Sequence, residues 1–174
     1  SLYPVLAELQ DCQCIKIPLK FDGDFSIPAN SAESAKSAKL FYIARPNAPT
    51  GTLFPIDEIR KICRKLNGIV FIDEAYADFA DDNCVGLLKE FPNIIIGRTL
   101  SKSYSLAGLR LGYALASEKI IEGLMKVKDS YNVGMLVQSL AIAALKDRKY
   151  FNETKRKICR TRALLMQSLA EKGF

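Results

Sequence analysis

Three charged residues in the middle of the chain stand next to short apolar runs. Asp73 ends one run, Lys102 follows a second, and Arg110 comes shortly before a third. Short apolar runs of this kind are typical of strands buried in a parallel sheet. Ligands of open α/β sheets lie beyond the carboxyl ends of the strands, so we expect these three side chains to lie near one another. An acid, a lysine and an arginine together suit a ligand with a basic ring nitrogen, a carbonyl group and a phosphate.

The chain contains no histidine, which excludes several kinds of catalytic site. Nucleophilic arrangements of the Ser-His-Asp and Cys-His type both need an imidazole. A proton-transfer enzyme built from this chain must therefore use Lys, Asp, Glu, Tyr or Cys. A lysine amine is a nucleophile only when it is neutral, and burial or a neighbouring cation lowers its pKa. Lys102 is the candidate for that role, with Arg110 as a candidate neighbouring cation.

The composition indicates a soluble globular protein without a membrane or nucleic-acid partner. Hydrophobic residues make up 49% of the 174 residues and charged residues 25%. No apolar run approaches the roughly 20 residues that a membrane helix needs. The net charge is +6, but the basic residues fall mostly on the faces of predicted helices, which favours solvated surfaces over a nucleic-acid site.

The five cysteines are scattered along the chain, which indicates free thiols in a reducing cytoplasm. They are Cys12, Cys14, Cys63, Cys84 and Cys159. The first two are too closely spaced for the usual zinc pattern, and no histidine is present to complete a site. We therefore predict a cytoplasmic protein with no metal site.

Apolar periodicity predicts the elements that position the charged residues. We predict strands over residues 14–19, 40–44, 69–72, 94–98 and 111–116. We predict helices over residues 5–9, 55–66, 85–91, 117–128, 135–145 and 150–172. Because strands alternate with helices, the expected class is α/β, with a mostly parallel sheet flanked by helices. The strongly apolar helix 135–145 is expected to be buried, and the last helix is expected to turn Ile158, Leu165 and Leu169 inward.

Three motifs resemble the histidinol-phosphate aminotransferase family, which belongs to the fold-type I pyridoxal-phosphate aminotransferases. They are ARPNAPTG at residues 44–51, IDEAY at residues 72–76 and RTLSKSYSLAGLRLGY at residues 98–113. The resemblance covers nearly the whole chain. It implies that residues 1–148 are the large cofactor-binding domain, incomplete at its N-terminus. Residues 149–174 would then form a helix leading into a truncated C-terminal small domain.

The resemblance also implies roles for single residues toward pyridoxal 5'-phosphate. Lys102 would form the Schiff base with this cofactor and then move a proton between the substrate and the cofactor. Asp73 would keep the pyridine nitrogen protonated, and Tyr76 would reach the phenolic oxygen of the cofactor. Without the motifs, Asp73 would be interpreted as the cap of a turn, Lys102 as a surface lysine and Tyr76 as a packed tyrosine.

By the same resemblance, Ser101 and Arg110 would bind the cofactor phosphate, and Thr99 would add a second hydroxyl. One position departs from the family pattern. The family usually has an asparagine before Pro-Thr-Gly that contacts the phenolic oxygen, and this chain has Ala48 there. We therefore expect Tyr76 to contact the phenolic oxygen of the cofactor without help from this asparagine.

The reaction implied by the resemblance converts L-histidinol phosphate and 2-oxoglutarate to imidazole acetol phosphate and L-glutamate, a step of histidine biosynthesis. Small amino and oxo acids would be the substrates, and a homodimer would be the assembly. Another pyridoxal-phosphate aminotransferase or a threonine-phosphate decarboxylase is the nearest alternative. Alternatives from other classes are a catalytically incomplete fragment and a regulatory domain that senses pyridoxal phosphate.

Overall fold

The computed structural model describes residues 2–21 and 23–174. Its strands are β1 (Lys20–Phe21), β2 (Phe25–Ser26), β3 (Leu40–Ala44), β4 (Ile69–Asp73), β5 (Ile94–Thr99) and β6 (Gly112–Ala116). Its α-helices are α1 (Leu2–Leu9), α2 (Ser31–Ser34), α3 (Ile56–Lys65), α4 (Glu118–Val127), α5 (Met135–Lys146) and α6 (Arg148–Ala170). Short 3₁₀ turns cover Ala77–Phe79, Val85–Lys89 and Ala107–Leu109.

The central sheet has four strands in the order β3-β4-β5-β6. β3, β4 and β5 are parallel, whereas β6 runs antiparallel to β5 and pairs Gly112 with Thr99. The prediction of a mostly parallel sheet flanked by helices is therefore confirmed. Since β6 is antiparallel, it begins at the edge where β4 and β5 end, which brings three sequence-distant segments to one edge.

One face of the sheet forms the hydrophobic core. Val70, Ile72, Ile94 and Ile96 alternate along β4 and β5 and are completely buried, each with 0% exposure. They pack in one cluster with residues of α3, including Ile59. Burying an aliphatic side chain of this size contributes about 1.5–3 kcal/mol, so this face holds β4 and β5 in place beneath the site.

Helix α3 covers that core face, and its sequence explains both where it begins and which side it buries. Pro55 precedes its first residue and fixes the backbone there. Ile59, Ile62 and Cys63 recur at helical spacing and are buried. Acidic residues in the first turn and basic residues in the last turn complement the helix dipole.

The opposite face of the sheet is more open and is called the open face below. It carries Tyr42, Phe71, Asp73, Gly97 and Thr99, because successive side chains of a strand point to opposite sides. Helix α1 lies against this face and places the ring of its residue Tyr3 on Tyr42.

The predicted strand over residues 14–19 is wrong. Residues 14–19 have no regular secondary structure, and the two-residue strand β1, which pairs with β2, begins just after them. Ile17 and Leu19 are partly buried against the core, whereas Ile15 is 59% exposed. The apolar alternation therefore reflects packing on the core without a neighbouring strand to supply hydrogen bonds.

The burial predicted for two helices is also wrong, although the helices themselves are present. In α5 the buried residue is Ala141, and Met135 and Leu136 are 78% and 77% exposed. In α6 the buried residue is Phe151, and the three residues expected to face inward are exposed: Ile158, Leu165 and Leu169. Apolar periodicity predicts a helix face, but burial also needs a second surface, which the described part of the chain does not place over these positions.

Among the described residues, no helix is both long enough and apolar enough to cross a membrane.

Candidate functional site

Asp73 ends β4 on the open face, and both of its carboxylate oxygens accept hydrogen bonds. The backbone N–H of Ala75 donates to Oδ1 over 2.9 Å, and the phenol of Tyr3 donates to Oδ2. Burial and the Asp73 carboxylate together raise the pKa of the Tyr3 phenol well above its ordinary value. The carboxylate is therefore fixed in orientation by its own turn and covered by α1.

Three aromatic rings line the open face beside Asp73. The Tyr3 and Tyr42 rings are stacked with centroids 4.6 Å apart, and the Tyr42 and Phe71 centroids are 5.0 Å apart. A cavity of about 360 Å³ opens here and is lined by these rings, Asp73 and Gly97, among others. A Cβ at Gly97 would lie 2.5 Å from Phe71 Cζ, so glycine leaves the space that the Phe71 ring occupies beside β5.

Lys102 lies in the turn after β5 and contacts Tyr76, which follows β4. Lys102 Nζ is 5.0 Å from the centroid of the Tyr76 ring. An ammonium at this distance from an aromatic face is attracted by the negative face of the ring. The structure thus brings together an amine and a phenol that the sequence analysis singled out separately.

Two of the predicted phosphate-binding hydroxyls form one hydrogen-bonded pair. Thr99 Oγ1 donates to Ser101 Oγ over 2.9 Å, and the Ser101 backbone N–H donates to Thr99 Oγ1 over 3.1 Å. Arg110 stands just before β6, so the pairing of Thr99 with Gly112 brings it to the same edge. Its guanidinium is exposed and donates to the Ala107 carbonyl over 3.1 Å.

The turn before α3 is held by an arginine. Arg45 is 1% exposed, donates from Nε to the Phe54 carbonyl over 2.6 Å and pairs with Asp82 over 2.7 Å. Asn47 Nδ2 donates to Thr50 Oγ1 over 2.8 Å and is thus directed into its own turn. Ala48 is exposed beside it.

Sequence reasoning missed a group of polar and charged residues behind the site, which are buried or partly buried. This group is called the Arg98 cluster here and consists of Glu74, Asp78, Arg98 and Ser103. Glu74 and Ser103 are each 2% exposed. Arg98 donates from Nη2 and Nε to Glu74 Oε2 over 2.7 Å and 3.0 Å. The available signal was a charged residue, Arg98, near the end of an otherwise apolar strand, since such a residue needs an opposite charge nearby.

A second opening, about 810 Å³ in volume, runs along α4 beside Glu118, Glu122 and Lys126. None of the residues predicted to act on a cofactor lines it. The cavity on the open face, which Asp73 and Thr99 line, is therefore the candidate site.

Comparison with known proteins decides the family. The sequence model of the family described as aminotransferase class I and II matches residues 1–174. The chain belongs to this family. The resemblance inferred from the three motifs is thereby confirmed.

Individual class I and II aminotransferases are similar over the whole chain. A histidinol-phosphate aminotransferase from Microcystis aeruginosa is 44% identical over 174 residues, covering 100% of this chain and 49% of the relative. One from Thermococcus kodakarensis is 41% identical over 175 residues, covering 100% of this chain and 51% of the relative. The chain therefore spans about half the length of these aminotransferases.

A solved aminotransferase structure has the same fold. The crystal structure of a histidinol-phosphate aminotransferase from Sinorhizobium meliloti, in complex with pyridoxal-5'-phosphate, superposes with a TM-score of 0.83 at 25% identity. The similarity covers 98% of this chain and 48% of that chain. The expected α/β fold, that of fold-type I aminotransferases, is confirmed.

Proposed function

We propose that this chain is the cofactor-binding half of a pyridoxal-phosphate enzyme that transfers an amino group between L-histidinol phosphate and 2-oxoglutarate. The observation that carries this proposal is the contact of Lys102 with Tyr76, 5.0 Å from Nζ to ring centroid, at the edge that also carries Asp73. The relatives at 44% and 41% identity, both histidinol-phosphate aminotransferases, support the choice of substrate.

The donor set fits pyridoxal phosphate group by group. Asp73 is a carboxylate for the ring nitrogen, Lys102 an amine for the aldehyde, and Tyr76 a phenol for the ring oxygen. The remaining donors suit the phosphate: Thr99, Ser101 and Arg110. The cavity lined by aromatic rings on the open face suits a flat heteroaromatic ring.

When bound, pyridoxal phosphate supplies an aldehyde that captures an amine and a ring that withdraws electrons from the substrate's α carbon. The protein's part is to hold that ring and to move protons. Asp73 would hold a proton on the ring nitrogen, and the Ala75 N–H, 2.9 Å from Oδ1, fixes the orientation of its carboxylate. Because Oδ2 accepts the Tyr3 hydrogen bond, Tyr3 must share or release that oxygen.

Lys102 is the base in this proposal. With the cofactor bound, the neutral amine would take the proton from the substrate's α carbon and deliver it to the cofactor's aldehyde carbon, on the other side of the amino nitrogen. The amine lies over the Tyr76 ring, and this contact limits the positions that the amine can occupy. No other ionisable group of this chain is proposed to touch the reacting carbons.

The assembly and location form part of the same proposal. Small amino and oxo acids are the substrates, the enzyme is a homodimer, and it works in the cytoplasm. Residues 1–148 belong to the large domain, and 149–174 lead into the small domain.

The test is a half-reaction with cofactor-loaded protein. L-histidinol phosphate is added alone, and the bound cofactor is extracted and identified by mass spectrometry. The proposal predicts conversion to pyridoxamine phosphate at least about tenfold faster than with L-aspartate. Release of carbon dioxide from L-threonine phosphate, without amino transfer from any donor, would instead identify a decarboxylase.

A further inference from the structure

Two separate contacts join the turn after β4 to the turn after β5. One is the proposed functional contact, Lys102 with Tyr76. The other lies one residue further along the second turn, where Ser103 Oγ donates to Asp78 Oδ2 over 2.5 Å. Lys102 is exposed, whereas Ser103 is 2% exposed. The buried hydrogen bond is thus better placed than the exposed contact to fix the distance between the turns.

Asp78 also pairs with Arg98. Arg98 Nη1 lies 3.7 Å from Asp78 Oδ1, and the same guanidinium bonds Glu74 Oε2 over 2.7 Å. Glu74 is fully covered, and its Oε1 accepts from the Cys84 backbone N–H over 2.5 Å. A guanidinium between two carboxylates neutralises part of their charge, which lowers the free-energy cost of keeping both carboxylates at low exposure.

The Arg98 cluster is also connected to Asp73, through Glu74. Glu74 directly follows Asp73, and its backbone N–H donates to the Gly97 carbonyl of β5 over 2.9 Å. The side chains of Asp73 and Glu74 point to opposite faces of the sheet because they are neighbours in an extended segment. Fixing Glu74 on the core side therefore fixes Asp73 on the open face.

We propose that Ser103 and Asp78 are positioning residues, which hold the Lys102 turn against the Tyr76 turn, with Arg98 and Glu74 as their support. The inference rests on the proposed function for the catalytic role of Lys102. The contacts that hold the turn are present without the cofactor. Neither Ser103 nor Asp78 touches the reacting atoms. They act on Lys102 through the backbone of its turn.

The first test uses hydrogen–deuterium exchange on the cofactor-free 174-residue chain. Within the turn, the Ser105 N–H donates to the Lys102 carbonyl over 3.0 Å and the Leu106 N–H donates to the Leu100 carbonyl over 3.1 Å. Ser103→Ala and Asp78→Ala should each raise exchange at these amides by about tenfold, while the amides of β4 and β5 keep their protection. Asp81→Ala, an exposed carboxylate in the same acidic loop, is the matched control and should leave exchange unchanged.

A double variant separates a shared role from two independent ones. Because Ser103 acts through its hydrogen bond to Asp78, Ser103→Ala/Asp78→Ala should raise exchange no more than Asp78→Ala alone. Asp78→Asn keeps an oxygen acceptor for Ser103 and should restore part of the protection. Additive effects in the double variant, or unchanged exchange in both single variants, would overturn the proposal.

A second readout links the turn to the cofactor. The rate at which pyridoxal phosphate forms a covalent adduct with Lys102 should fall about tenfold in Ser103→Ala and Asp78→Ala and stay at the parent value in Asp81→Ala. Raised exchange with an unchanged adduct rate would overturn the positioning role. A parent protein that forms no adduct on Lys102 would refute the proposed function, while the exchange result would still decide whether Ser103 and Asp78 hold the turn.

Discussion

Lys102 Nζ lies 5.0 Å from the centroid of the Tyr76 ring, and this contact joins turns that follow two different strands. It forms because β4 and β5 are parallel neighbours, which pair Asp73 with Gly97 and end at the same edge. The antiparallel β6 then starts at this edge and brings Arg110 with it. The candidate site is therefore a consequence of sheet topology more than of any one loop.

Removing the Tyr3 hydroxyl should strengthen cofactor binding. Tyr3 donates to Asp73 Oδ2, the carboxylate that is proposed to hold the cofactor's ring nitrogen, so the two interactions compete. A hydrogen bond of this kind contributes about 0.5–1.5 kcal/mol net, and Tyr3→Phe should lower the Kd for pyridoxal phosphate roughly 2- to 12-fold in a fluorescence titration. Tyr131→Phe, at a tyrosine that is 97% exposed, is the control. Weaker binding by Tyr3→Phe would show that the hydroxyl assists the cofactor.

Two buried thiols should make the protein less stable in alkali. Burial, reinforced by the Glu74 carboxylate, raises the pKa of Cys84 from 9.0 to about 12, and burial raises the pKa of Cys63 to about 11. The folded state thus holds these protons more tightly than the unfolded state. Their contribution to stability is complete below about pH 9 and is lost as the pH rises toward 11 and 12, by up to about 1.4 kcal/mol per pH unit for each thiol.

Urea unfolding at pH 8, 9.5 and 10.5 checks this expectation. Cys84→Ala removes one of the two groups, so the difference in unfolding free energy between parent and variant should shrink as the pH rises. Cys12→Ala, at an exposed thiol, should give a curve parallel to that of the parent. Parallel curves for all three proteins would rule out this linkage.

Asp82 should matter more for stability than its exposure suggests. Its carboxylate is 48% exposed, but its partner Arg45 is 1% exposed. Asp82→Ala leaves a buried guanidinium without this charge partner and should lower the unfolding free energy by about 1–3 kcal/mol, less than for a fully buried pair. Asp81→Ala should change it by no more than about 0.5 kcal/mol. Equal thermal midpoints for the two variants would contradict the proposed role of Arg45 in holding the turn.

Restoring the asparagine that the family usually has at position 48 should change the electronic state of the bound cofactor. Ala48 is exposed, and Asn47 is directed to Thr50, 2.8 Å away. In Ala48→Asn a new amide donor should favour the ionised ring oxygen and lower the pH midpoint of the cofactor's visible absorbance by up to about one unit. The same midpoint in parent and variant would show that this turn does not reach the cofactor; Ala29→Asn, in another exposed loop, is the control.

The sequence predicted the central sheet well because β3, β4 and β5 are short apolar runs followed by turn residues. It predicted a strand over 14–19 incorrectly because alternation shows which side is apolar and does not show whether a partner strand is present. The exposed apolar residues of α5, such as Met135, were misjudged for a related reason: periodicity carries no information about the covering surface.

The site was predictable only in part. Asp73, Tyr76 and Lys102 stood out because each lies in a motif beside a strand end. Contacts between segments distant in the chain did not, since the hydrogen bond of Tyr3 to Asp73 and that of Ser103 to Asp78 depend on how strands and helices pack. No local pattern encodes those pairings.

The proposed function depends above all on covalent binding of pyridoxal phosphate by Lys102. The direct measurement is borohydride reduction of the 174-residue protein with pyridoxal phosphate, followed by digestion and mass spectrometry. The proposed function predicts one dominant adduct, on Lys102, and its loss in Lys102→Ala with an unchanged thermal midpoint, because Lys102 is exposed and fills no core volume. Adducts spread over other lysines, with Lys102 modified no more than Lys39 or Lys128, would contradict it.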